Sequence, residues 1–83
     1  MKKVLRSLGQ VTLQHMLKEA RQNLGLTQGA IATAVGKPQS FVAKYESGER
    51  LLNIIELIRV LRVLNQDPGS FVSRLAQSVP KDD

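Results

Sequence analysis

The chain is expected to fold as an all-α protein, a bundle of five helices with no sheet. Three observations lead there. Apolar residues recur at three- and four-residue spacing in several separate stretches. Each stretch is bounded by a capping residue, a glycine or a proline. No run alternates long enough to argue for a strand. Eighty-three residues make one domain, 1–83, whose core must be small and local in sequence.

Residues 1–9 are basic and weakly patterned, and are expected to form a mobile arm, or an extra turn, that Gly9 separates from the rest. From about Gln10 to Leu24, the side chains of Leu13, Met16, Leu17, Ala20 and Leu24 share one helical face, and Gly25 ends that first helix. The second helix opens at Thr27, a good N-cap, carries Ile31 and Val35 four apart on one face, and stops at Gly36. Pro38 then biases Lys37 towards an extended conformation and restarts a helix with its angle already set. The third helix, Gln39 to Glu46, buries Val42 and Tyr45 and turns Gln39, Ser40, Ala43 and Lys44 outward before ending at Ser47-Gly48.

A fourth helix starts at Asn53, which with Glu56 forms an Asn-x-x-Glu variant of the capping box. Its expected core arc holds Ile54, Leu57, Ile58, Leu61 and Leu64. Ile55, Val60 and Val63 fall on the other side among Glu56, Arg59 and Arg62, to be covered either by the fifth helix or by a second subunit. Asp67-Pro68 caps and opens the fifth helix, along which Phe71, Val72, Leu75, Ala76 and Val79 line up. Residues 80–83 are expected to be a mobile tail.

A formal net charge of +5 and a pI near 10.1 favour a polyanionic partner, although charge alone does not separate nucleic acid from an anionic membrane or an acidic protein. With no cysteine there is no disulfide framework and no thiolate zinc site. The start, MKKVLRSLGQ, lacks the apolar stretch of a signal peptide, and no run approaches a membrane span, so a soluble cytoplasmic protein is expected. His15 is the only histidine, which leaves no metal-ligand set. Nor is there a nucleophile with its base, or a glycine-rich phosphate loop. Neither catalysis nor a cofactor is expected.

Two short helices joined by a glycine turn, the second with a polar outer face, can bring side chains against the base edges of a duplex. Gln39, in the first turn of its helix, suits adenine, whose N6 and N7 one side-chain amide can bond together. Ser40 could reach a base or a phosphate, or bond its own helix's free amides. Lys44, one turn on, can reach guanine O6 and N7 or a phosphate. Phe41 could pack beside the second helix or meet a thymine methyl group. Arg50 and Lys37 are candidate phosphate contacts, and each could equally be a solvated charge.

Leu24-Gly25-Leu26-Thr27-Gln28, Val35-Gly36, Gln39-Ser40-Phe41-Val42 and Tyr45-Glu46-Ser47-Gly48-Glu49-Arg50 stand in the order and spacing of a known family. Over about residues 13–66 the sequence resembles the phage repressor and Cro family of helix-turn-helix regulators, also called XRE-like. The resemblance implies a five-helix bundle with a motif at about 27–46. Its third helix would enter the major groove, with two copies reading an inverted repeat from grooves about 34 Å apart. It also implies that Gln28 grips a phosphate at a helix N-terminus. Arg21 and Glu46 would meet between the first and third helices, locking the reading helix while Arg21 still points a donor at the DNA backbone. The implied function is a DNA-binding transcriptional regulator, a homodimeric repressor. An antitoxin that also neutralises a toxin protein, or an interaction module of the same fold without DNA binding, are the alternatives. Gly29 and Ala30 depart from the family, which usually carries an acidic residue and a larger side chain there. A helical glycine costs about 1 kcal/mol relative to alanine, so the second helix should lean on tertiary packing.

Overall fold

Each helix starts where a side chain satisfies a free amide or a proline removes the need for one. The computed structural model describes residues 7–81. Within them the chain forms α1 (Leu8–Asn23), α2 (Gln28–Val35), α3 (Gln39–Ser47), α4 (Ile54–Val63) and α5 (Pro68–Ser78), with no strand among the described residues. Thr27 Oγ1 accepts from the Ala30 amide at 3.0 Å, and Asp67 Oδ2 accepts from Ser70 at 2.9 Å with Pro68 next in line. Asn53 and Glu56 close a full capping box, at 2.8 Å and 3.0 Å. Pro38 itself takes the cap position of α3, one residue before the first helical one.

α1 starts earlier than its apolar pattern suggests. Ser7 Oγ accepts from the Gln10 amide at 3.1 Å, and this cap offsets the poor helix propensity of Gly9, which lies inside the first turn. Of the expected mobile arm, residues 1–6 lie outside the described residues, and residues 7–9 are part of the helix start. At the other end Pro80 and Lys81 follow α5 without helical structure, and residues 82–83 lie outside the described residues.

Three glycines close helices with positive φ, among them Gly36 at 72° between α2 and α3 and Gly48 at 89° after α3. At Gly48 the backbone angle calls for glycine; a Cβ would come within 2.9 Å of the Gln14 side-chain amide on α1, the end of a flexible side chain that can move aside. α3 is packed by α1 and α2, α4 lies against α2 and α5, and α5 returns to α1. The shared core consists of Leu17, Ile31, Val42, Tyr45, Val60, Leu61, Leu64 and Phe71, joined by Ala32, Phe41 and Leu57. Ile31 and Ala32 bury the inner face of α2 against this core, which supplies the packing its Gly29 makes necessary.

α4 is rotated from its expected orientation. Leu57, Leu61 and Leu64 are buried as expected, but so is Val60, at 0% exposure, while Ile54 is 62% exposed and Ile55 58%. Val60 sits beside Val35 and Phe41, on the flank that α4 turns to α2. Val63 is half-buried against the core and Ile55 is open, so neither expected cover accounts for all three of the residues placed outside. α5 also buries less than its pattern suggests: Phe71 is buried, whereas Val72 and Val79 are exposed.

Candidate nucleic-acid interface

Packing decides which side of α3 is left to solvent. Phe41, Val42 and Tyr45 fill the core side, and Gln39, Ser40, Lys44 and Ser47 are exposed on the other, with Ala43 half-buried between them. Phe41 is thus a core residue, set edge-on to Tyr45 at 5.5 Å, and the alternative of a ring reaching out to a thymine methyl is corrected. Burial, and then the neighbouring Glu46, push the Tyr45 phenol well above its ordinary pKa, and its hydroxyl has no hydrogen-bond partner among the described residues. Ser40 and Lys44 make no side-chain hydrogen bond there either, so Ser40 does not cap its own helix. The one acidic residue within α3, Glu46, points inward.

Glu46 is the anchor. Its carboxylate accepts from Arg21 Nε at 2.7 Å and Nη2 at 3.0 Å, a two-pronged bond between α1 and α3, with side-chain exposures of 12% for Arg21 and 4% for Glu46. Arg21 Nη1 donates to the Leu26 carbonyl at 2.9 Å, so one guanidinium ties α1, the loop before α2 and α3 together. The hydrogen bonds to Glu46 hold the Arg21 pKa above its ordinary value. The expected ion pair is present; three of the five guanidinium N–H groups are used in these bonds, leaving one on each terminal nitrogen.

A second contact is not foreseen by spacing or composition. Gln28 Nε2 donates to Glu46 Oε1 at 3.0 Å, and Gln39 Nε2 donates to Gln28 Oε1 at 2.7 Å. Arg21, Glu46, Gln28 and Gln39 therefore form one chain of hydrogen bonds running from the interior to the exposed start of α3. The signal that could have revealed it is positional: each glutamine is the first residue of its helix, and a helix-turn-helix brings those two starts together.

Arg50 and Lys37 both meet the Phe41 ring, with the Arg50 guanidinium carbon 4.8 Å and the Lys37 ammonium 5.6 Å from its centroid. Such placements are weakly attractive and orient the cations. Arg50 also grips Glu56 with two bonds, at 2.9 Å and 2.8 Å. Expected as a phosphate hand, Arg50 is thus held in place by α4, a contact that six residues of separation across a loop did not suggest.

The same pair makes a pH prediction. Arg50 first, and then the Asn53 amide, hold the Glu56 carboxyl down at about 2, against an ordinary 4.5. A folded-state pKa below the unfolded one means that this stabilisation is fully present above pH 4.5 and is lost as pH falls from there towards 2. Glu56→Gln is expected to flatten the acid limb of the stability profile in that window, read by urea unfolding at a series of pH values. An unchanged slope would show that the pair does not form in solution.

A nine-residue helix set by a glycine turn against its neighbour, with buried residues on one side and exposed polar groups on the other, is the reading unit of a helix-turn-helix protein. Comparison with known proteins bears this out. Residues 17–71 match the family model described as helix-turn-helix, and no curated protein matches the chain. Among solved structures, an XRE-family-like protein from Pseudomonas syringae pv. tomato is 39% identical, with a TM-score of 0.81 over 87% of this chain and 88% of that one. The chain belongs to the XRE-like helix-turn-helix family of DNA-binding regulators. Among the described residues, no helix is long and apolar enough to cross a membrane.

Proposed function

We propose that this protein is a sequence-specific transcriptional regulator, a repressor that binds double-stranded DNA as a homodimer on an inverted-repeat operator. α3 enters the major groove, Gln39 bonds an adenine through N6 and N7, and Ser40 and Lys44 contact neighbouring bases or phosphates. The free amides at the start of α2, together with Gln28, Lys37, Arg50 and the remaining donors of Arg21, meet the phosphate backbone. The observation that carries this reading is the exposed amide of Gln39, held at 2.7 Å by Gln28 on a helix that Arg21 and Glu46 lock in position. Preorganised donors lose little freedom on binding, which is what specific recognition needs. Leu51, Ile54 and Ile55, exposed where the chain leaves α3 and enters α4, support the pairing of two copies.

Selection of bound sequences from a random pool tests the proposal. A palindromic motif is expected, and the absence of any preferred motif would remove specific recognition. Gln39→Ala is expected to relax the preference at one position of each half-site by about 1–3 kcal/mol. Arg50→Ala is expected to weaken binding to all sequences alike and to lower the salt dependence by about one counterion.

A further inference from the structure

We propose that Glu46, which faces away from the exposed side of α3, sets the base preference of Gln39 by fixing the direction of the hydrogen-bond chain between them. The inference rests on the DNA-reading role proposed above. A side-chain amide can turn over by 180° and exchange its donor and acceptor ends, so a lone glutamine has no fixed polarity. Here the chain begins at a group that cannot be reversed. Arg21 has only donors, and the carboxylate of Glu46, paired with it at 2.7 Å, has only acceptors. Gln28 can therefore approach Glu46 only with its nitrogen, as it does at 3.0 Å. Its oxygen is left facing α3, and Gln39 can approach that oxygen only with an N–H, as it does at 2.7 Å.

The consequence appears at the exposed end. Gln39 keeps its whole carbonyl oxygen and one N–H for an outside partner, an acceptor beside a donor. Adenine offers the complement, the N6 donor beside the N7 acceptor. Guanine offers two acceptors, N7 and O6, and one of them would face the carbonyl oxygen of Gln39. Glu46 is thus a positioning residue for specificity, acting through Gln28.

A single substitution releases the direction of the chain. Arg21 donates to both oxygens of Glu46, and Gln28 shares Oε1 with Arg21 Nη2, so in Glu46→Gln the introduced amide can face Gln28 with either end. Gln28 is then free to turn over, and in its reversed orientation it donates to the oxygen of Gln39 and leaves Gln39 with two outward N–H groups suited to guanine. Adding Gln28→Glu to Glu46→Gln puts an acceptor-only group back beside Gln39, which restores the original direction. Competition binding to operators carrying adenine or guanine at the Gln39 position reads this. The unmutated protein is expected to favour adenine by about tenfold or more. Glu46→Gln is expected to lose most of that preference as binding to the guanine operator rises, and the double variant to recover it. A merely structural effect of Glu46→Gln would weaken both operators alike and would not be rescued by Gln28→Glu.

A second measurement needs neither variant nor DNA. In the unmutated protein, NMR coupling across the hydrogen bond is expected from Gln39 Nε2 to the side-chain carbonyl carbon of Gln28. Coupling in the opposite sense, from Gln28 Nε2 to Gln39, overturns the inference. If a selected motif places adenine opposite Gln39 but Glu46→Gln leaves the adenine preference intact, this inference falls and the DNA-reading proposal stands. If no motif is selected at all, both fall.

Discussion

Val60→Asp is expected to leave the chain unfolded at 25 °C, while Ile55→Asp folds normally. Val60 is fully buried beside Val35 and Phe41. A carboxylate there loses its hydration at an effective cost of several kcal/mol, of which Lys37 and Arg59, lining the same pocket, offset only a part. Losing the burial of the valine side chain adds about 1.5–3 kcal/mol. Total stability is expected to be about 5–15 kcal/mol, and a domain of this size lies towards the lower end. The two losses together exceed or nearly exhaust that margin. Ile55 is 58% exposed and is the second residue of α4. A carboxylate there meets the free amides of the first turn, an interaction worth about 0.3–1 kcal/mol in its favour. Circular dichroism with urea titration distinguishes the pair. A cooperative transition for Val60→Asp together with collapse of Ile55→Asp would mean that α4 presents the opposite face to the core.

Arg21→Met is expected to lower the unfolding free energy by about 3–5 kcal/mol, because it strands a carboxylate that is only 4% exposed. Glu46 would keep Gln28 as its one hydrogen-bond donor, and the Leu26 carbonyl would lose its bond from Arg21. For a chain of this length each kcal/mol corresponds to about 4–8 °C in Tm, so the loss is easily read by thermal unfolding. Adding Glu46→Leu is expected to recover most of it, since replacing both members of a buried ion pair by apolar groups is often neutral or stabilising. Base selectivity is not expected to return in the double variant, because Gln28 then has no fixed partner. Recovery of both stability and selectivity would show that the pair serves only to hold the fold. If Arg21→Met costs under about 1 kcal/mol, the pair behaves as a solvated surface contact.

The ion pair between α1 and α3 and the glutamines at the starts of α2 and α3 were legible to different degrees. Gln39, Ser40 and Lys44 could be assigned to the outer face of α3 from the spacing of Val42 and Tyr45, because a helix's own geometry fixes which residues share a side. Arg21 and Glu46, 25 residues apart, emerged only through the family resemblance. The bond between Gln28 and Gln39 was not legible, since it depends on the angle at which α2 and α3 meet. The grip of Arg50 on Glu56 was hidden for the same reason: a loop, and not a helical turn, sets that distance.

Local chemistry determined the helices of this protein. Thr27, Asn53 with Glu56, and Asp67 with Pro68 each satisfy or remove an amide within three residues, and Gly36 and Gly48 accept angles that other residues resist, so neighbours in sequence are enough. Which apolar residues of α4 face inward was a tertiary decision. Ile54 and Val60 flank the same helical stripe, and only the positions of α2 and α5 select Val60 for the core and leave Ile54 in water. The same holds for the polar site. Composition supplied two glutamines, one carboxylate and one guanidinium, and only the packing of α1, α2 and α3 brought them within hydrogen-bonding distance, because such bonds vanish beyond about 3.5 Å.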